Sequence, residues 1–185
     1  MMRWLLLLFV GVVLGAIVHL GTIMVMPRAA SQDAYARLTP VSTINAVTPL
    51  PPPTPDAAVL PFMDPAFASA VCRYDLAQGP IKFTVPVSLA YTSVSFYNRY
   101  DIAYYAINDR AAGRRVIELE LMTSAQRADL PEEEDVTAAD RLIVESPTST
   151  GLIAIRALAP EPGLMPMARG AVGAARCTRE EDTRR

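Results

Sequence analysis

Apolar and polar positions divide the chain into regimes of different period. Trp4 to Met26 reads WLLLLFVGVVLGAIVHLGTIMVM, 23 residues without a formal charge. About 20 apolar residues span the hydrocarbon core of a bilayer as a helix, so this run predicts one transmembrane helix. Arg3 precedes it, and Pro27 and Arg28 close it. Trp4 stands where an indole keeps its ring in lipid and its N–H in water. A cleaved signal peptide has a shorter apolar core, about 7–15 residues, followed by an A-x-A-like site. Here Pro27 and Arg28 stand two places before Ala29 and Ala30 and spoil both. Residues 1–28 are therefore expected to be an uncleaved signal-anchor.

Residues 29–65 lose the apolar run. Seven prolines fall in the 17 residues from Pro49 to Pro65. Proline removes a backbone donor and fixes φ, which excludes helix and central strand. The segment is expected to be an extended spacer that holds a domain away from the bilayer, with Val59, Leu60, Phe62 and Met63 docking its end onto the domain. Period-two alternation then begins. Ile81–Val87, Tyr91–Tyr97 and Val116–Met122 alternate, Ile102–Ile107 is rich in aromatics, and Leu142–Glu145 and Leu152–Ala157 complete about six predicted strands. The clearest is Val116–Met122, with Ile117, Leu119 and Leu121 on one face and Glu118 and Glu120 on the other. Short strands separated by turns predict a mainly β domain over 66–177, an antiparallel sandwich or barrel. Leu164–Cys177 is expected to be helical or irregular, and 178–185 a fraying charged tail. The acidic run Pro131–Asp135 reads as a solvated loop.

Charge adds exclusions. Seventeen basic and 19 acidic residues give a net charge of −2, with no basic footprint for nucleic acid. His19 is the single histidine and lies inside the apolar run, so the following domain has no imidazole for a Ser-His or Cys-His pair. No phosphate-binding loop, nucleophile elbow or metal-spaced cysteine cluster is present. Catalytic residues, metal and cofactor are accordingly expected to be none. Gly11, Gly15 and His19 recur every four residues and share one helix face. Gly11-x-x-x-Gly15 would let a second helix approach closely, while glycine is also common in transmembrane helices for no such reason.

Tyr91, Tyr97, Tyr100, Tyr104 and Tyr105 crowd 15 residues. On adjacent strands they would form an aromatic binding face, whereas β-propensity alone explains them without a ligand. Arg73 beside Cys72 could lower a thiol pKa. Cys72 and Cys177 are the two cysteines of the chain. An even count outside the membrane favours a disulfide in an oxidising compartment. Cys72 is read as preceding the first strand and Cys177 as following the last, so the bond would tie the ends of the domain. Basic residues flank the apolar run almost evenly, so charge bias leaves orientation open. The cysteines favour a cytoplasmic N-terminus and a periplasmic domain.

Cys72–Pro86, Ser95–Tyr97, Ala106–Arg110 and Leu142–Thr150 ending in Ile155-Arg156 resemble the domain-of-unknown-function family 1254 over about residues 60–160. The resemblance implies a β-sandwich of jelly-roll character, which in larger members is followed by a second domain, family 1214. It further implies a short, inner-membrane-anchored alphaproteobacterial form whose partner is a separate membrane protein carrying the 1214 domain. Expected partners are thus the lipid bilayer and another membrane-anchored protein, or a second copy through the transmembrane helix, with no nucleic acid. Half of a composite enzyme site and a small-ligand module remain as alternatives.

Overall fold

The computed structural model describes residues 1–29, 33–113, 115–130 and 142–179. The chain divides into two compact units, Met1–Asp33 and Ala34–Arg185. In the first, α1 (Met2–Ala29) is a single helix that continues past Pro27. Its stretch Met2–Met26 is long and apolar enough to cross a membrane, and none of those side chains is buried.

The second unit is a two-sheet sandwich with nine strands among the described residues: β1 (Val47–Pro49), β2 (Phe67–Asp75), β3 (Ile81–Pro86), β4 (Thr92–Asn98), β5 (Ala103–Asn108), β6 (Val116–Thr123), β7 (Leu142–Ser146), β8 (Thr150–Leu158) and β9 (Arg176–Arg179). One sheet has the order β1-β2-β8-β4-β5 and the other β7-β6-β3-β9. Helix α2 (Ala34–Leu38) precedes β1, α3 (Asp109–Ala112) follows β5, α4 (Ser124–Ala128) follows β6, and α5 (Met165–Gly173) precedes β9. All six predicted segments are strands. The β6–β7 pair departs from the antiparallel expectation: it is parallel. Residues 124–141 supply a connection long enough for the crossover that parallel pairing requires. Thr123 and Gln126 start α4 with a reciprocal capping box.

Three strands lie where alternation gave no signal. In β2 the inward Ala68, Ala70, Cys72 and Tyr74 join the main core, and the outward Val71 and Arg73 are buried as well. The outer face of β2 mixes apolar Phe67 and Val71 with Ser69, Arg73 and Asp75, which blurs the apolar–polar alternation. The expectation for Cys72 is thereby corrected, because it sits within β2 and pairs across with Ile153 of β8. Cys177 belongs to β9, opposite Phe83 of β3. Thr178 and Arg179, expected in a loose tail, pair with Lys82 and Ile81. Residues 180–185 and the acidic run Pro131–Asp135 lie outside the described residues.

Cys72 and Cys177 are disulfide-bonded with Cα atoms 6.5 Å apart. The bond joins the two sheets through the core. It closes a loop of sequence separation 105, which in the chain-entropy treatment stabilises the fold by about 4–5 kcal/mol. Around it pack Ile81, Phe83, Val85, Val94, Phe96, Ile117, Leu119, Leu121, Ile153 and Ile155, each at most 2% exposed. Helix α5 adds Ala168 and Val172 to this core.

The proline-rich region is more than a spacer. Leu38 of α2, Val71 and Leu152 form a second small core on the outer face of the five-stranded sheet, with Tyr35, Leu50, Val59, Leu60 and Tyr97 packed around it. Strand β1 pairs with β2, and the Leu50 N–H donates to the Ser69 carbonyl at 2.9 Å. The domain thus begins before the prolines, and Pro49–Pro65 run along its surface.

Gly151 of β8 faces Tyr74 of β2. A Cβ there would stand 2.3 Å from both the Tyr74 hydroxyl oxygen and the Tyr97 carbonyl oxygen. Gly151→Ala should therefore destabilise the domain by about 2 kcal/mol through overpacking, lowering Tm by roughly 4–8 °C in a domain of this size. Gly163→Ala, where an added Cβ meets nothing within 4 Å, should stay within about 0.5 kcal/mol. Thermal denaturation of the two variants side by side checks the pair.

Candidate interaction surface

The outer face of the five-stranded sheet carries a cluster built on Arg73. Its side chain is 7% exposed. Nε donates to Ser42 Oγ at 2.8 Å, one terminal nitrogen to Thr39 Oγ1 at 3.1 Å, and the other to the Ser42 carbonyl at 2.9 Å. Neutral oxygens therefore satisfy a cation that would be costly to bury unbonded. The guanidinium also lies 5.4 Å from the Tyr35 ring centroid, and Arg99 lies 4.2 Å from the same ring. Two cations on one ring fix α2 to the sheet. Asp101 Oδ2 accepts from the Ala34 N–H at 2.6 Å and pins the first residue of that helix. Arg73 and Cys72 point to opposite faces, and Cys72 is in the disulfide, so Arg73 has no thiol to activate.

The five tyrosines do not share a face. Tyr105 is opposite Phe96, but the register shifts between Phe96 and Tyr97, and Tyr97 is opposite Ala103. The bulge frees Tyr104 from alternation. Both Tyr104 and Tyr105 consequently pack on the main core, with ring centroids 6.3 and 5.8 Å from that of Phe96. Tyr97 packs on the outer core. Tyr100 is exposed in the β4–β5 turn, and Tyr91 is half-buried before the start of β4. Gly11, Gly15 and His19 lie at every fourth position of α1, and a Cβ added at either glycine would meet open space.

Sequence reading missed the polar group inside the sandwich. The Tyr74 hydroxyl donates to the Tyr97 carbonyl at 3.1 Å and is within hydrogen-bond distance of the Tyr104 hydroxyl at 3.2 Å and Ser146 Oγ at 2.9 Å. Ser146 Oγ in turn donates to the Thr148 carbonyl at 2.6 Å. Burial raises the Tyr74 phenol pKa above 10.0, outweighing the hydrogen bonds with Ser146 and Tyr104 that lower it. Burial also raises that of Tyr104, and the neighbouring Tyr74 raises it further. These phenols hold strands together and are neutral at physiological pH. Among the described residues, no group of three His, Cys, Asp or Glu side chains is placed to hold a metal ion.

A cavity of about 100 Å³, open to solvent, lies between the proline segment and α5. Pro49, Leu50, Met63, Phe67 and Met165 line it with apolar surface, and Arg169 contributes its charged side chain. Phe62 precedes Met63 in the chain. It is fully exposed and has φ 60°, a backbone conformation uncommon for a bulky residue.

The raised phenol pKa values have a consequence at alkaline pH. The unfolded chain loses these protons first as pH rises through about 10. Stability from keeping the phenols neutral is fully present below that pH and is lost above it as pH climbs toward the folded values. Unfolding free energy measured from pH 8 to 11.5 by urea titration should fall above about pH 10. Tyr104→Phe should make that fall shallower by up to one proton, about 1.4 kcal/mol per pH unit. An unchanged slope would contradict the assignment.

No curated protein matches the sequence. The chain is similar in fold to the VPA0106 protein from Vibrio parahaemolyticus, with TM-score 0.61 and 11% identity over 80% of this chain and 33% of that one. An uncharacterized protein from Burkholderia cenocepacia aligns with TM-score 0.47 and 15% identity, over 69% of this chain and 34% of that chain. The chain thus spans about a third of the length of either solved protein. The family model described as "Protein of unknown function (DUF1254)" matches residues 41–179, from the segment after α2 to the end of β9, and the chain belongs to that family.

Proposed function

We propose that this protein is a membrane-tethered interaction module of the bacterial envelope. Helix α1 is a single-pass signal-anchor in the inner membrane with its N-terminus in the cytoplasm. The β-sandwich stands in the periplasm and assembles with a separate membrane protein carrying a 1214 domain. The observation that carries this reading is an exposed apolar helix long enough to cross a membrane, on the same chain as a β-sandwich whose sheets are joined by a disulfide. The inter-sheet disulfide supports an oxidising compartment. The buried tyrosine cluster supports a structural role for the sandwich interior, because its hydroxyls bond to one another and to the backbone.

Fusions at the C-terminus test the placement: alkaline phosphatase should be active and green fluorescent protein dark. The opposite pair of results would overturn it. Affinity purification from native membranes in mild detergent should then recover a 1214-domain membrane protein in near-stoichiometric amount. Recovery without such a protein would reject the two-part assembly.

A further inference from the structure

We propose that Phe62 and the cavity beside it are the two halves of a self-complementary surface through which two copies of this chain pair. The tethered-module reading does not require this surface, because it concerns a second copy and not a different protein.

Three observations converge on one patch. Phe62 is fully exposed and held at φ 60°, so its ring projects from the loop instead of folding onto its own domain. An exposed, conformationally costly aromatic is suited to anchoring in a partner's pocket. The cavity begins at the next residue, Met63, and is walled by apolar side chains from β1, β2 and α5. Its volume of about 100 Å³ is about two-thirds of the roughly 150 Å³ that a closed apolar cavity offers a benzene ring. Because it is open on one side, it can take the leading edge of a phenyl ring without enclosing it.

Charge selects a second copy as the occupant. The cavity's one charged lining residue is Arg169. The loop that carries Phe62 carries the exposed Asp64 two residues later. Neither has an ion-pair partner among the described residues; an Asp64 carboxylate oxygen accepts only the Ala66 N–H, at 2.9 Å. An aromatic knob with a carboxylate beside it therefore matches an apolar hole with a guanidinium beside it, and both lie on the same surface. A two-fold axis through that surface seats each Phe62 in the other copy's cavity and brings each Asp64 toward the other's Arg169. This reciprocity is the signature of an isologous interface. Tethering both copies in one membrane raises their effective concentration, so a small contact suffices. The Gly11 and Gly15 face of α1 can bring the two spans together in the same parallel sense.

The test uses the full chain in its own membrane, with p-benzoylphenylalanine in place of Phe62 and an equal mixture of isotopically light and heavy copies. Irradiation should give an adduct of twice the chain mass. Its mixed-isotope cross-linked peptides should join position 62 to Phe67, Met165 or their immediate neighbours. Asp64→Arg should lower the adduct at least tenfold, and Asp64→Arg combined with Arg169→Asp should restore it. Because these positions are exposed, the Cys72–Cys177 bond should persist in every variant and report that the fold is intact. An adduct confined to one copy, to lipid or to a different protein would overturn the proposal, as would no adduct. So would a charge reversal that leaves the adduct unchanged or a double variant that fails to restore it. An adduct to a 1214-domain protein would reject the self-pairing while supporting the two-part assembly.

Discussion

The burial of β2 on both faces is the constraint around which the domain is built. Its inward side chains are Ala68, Ala70, Cys72 and Tyr74, all within the main core. The two alanines leave room for α5, whose Ala168 and Val172 enter the same core. Cys72 reaches the opposite sheet covalently. Tyr74 reaches it through Ser146 of β7, and that contact requires Gly151 to lack a side chain. Enlarging any of these positions would push the sheets apart, because close-packed interiors do not absorb added volume without strain.

The outward side of the same strand decides where the domain begins. Val71 and Arg73 would be exposed if the sheet ended at β2 without α2. Leu38 covers the first, and Thr39 and Ser42 supply oxygens to the second. The cation remains buried because its donors are satisfied and because the Tyr35 ring faces it. Removing those partners would leave an unpaired guanidinium in a dry site, a costly outcome. Residues 34–50 are therefore part of the fold. The proline-rich stretch that follows lies against a domain already begun, and its rigidity shapes the cavity wall at Pro49.

The sequence made some of this legible and hid the rest, for physical reasons. β3, β4 and β6 show as alternation because one face meets the core and the other is less buried, as in Ile117 and Leu119 against Val116 and Glu118, although Glu120, expected to face solvent, is buried at 9% exposure. β5 was found by its aromatic content, yet the use of its tyrosines was not, because a bulge breaks the period that face assignment relies on. β2 was missed because Phe67 and Val71 stand among Ser69, Arg73 and Asp75 on its outer face while small Ala68, Ala70 and Cys72 face inward, so the contrast between its faces is weak. β9 was invisible because four residues are too few to show one. The prolines pointed to extended backbone correctly, but composition cannot distinguish a stalk in solvent from a strand end and loop packed on a sheet. Arg73 was read beside Cys72 and not as the anchor of α2, since that role depends on hydroxyls more than 30 residues earlier in the chain. The pairing of Cys72 with Cys177 was readable from their even number outside the apolar run, while its position between the sheets was not.

The most direct measurement is hydrogen–deuterium exchange on the full chain in detergent micelles or nanodiscs, followed peptide by peptide over residues 34–50 and β2. The amides of Thr39, Asn45 and Leu50 donate to Tyr35, Arg73 and Ser69 carbonyls respectively. If both faces of β2 are covered, peptides spanning these amides exchange orders of magnitude more slowly than an unstructured chain, and Arg73→Ala accelerates residues 34–42 while leaving the inner side of the sandwich protected. Exchange of residues 34–50 at the unstructured rate, with β2 fully protected, would contradict a domain that begins at Ala34 and would return the segment to a free spacer.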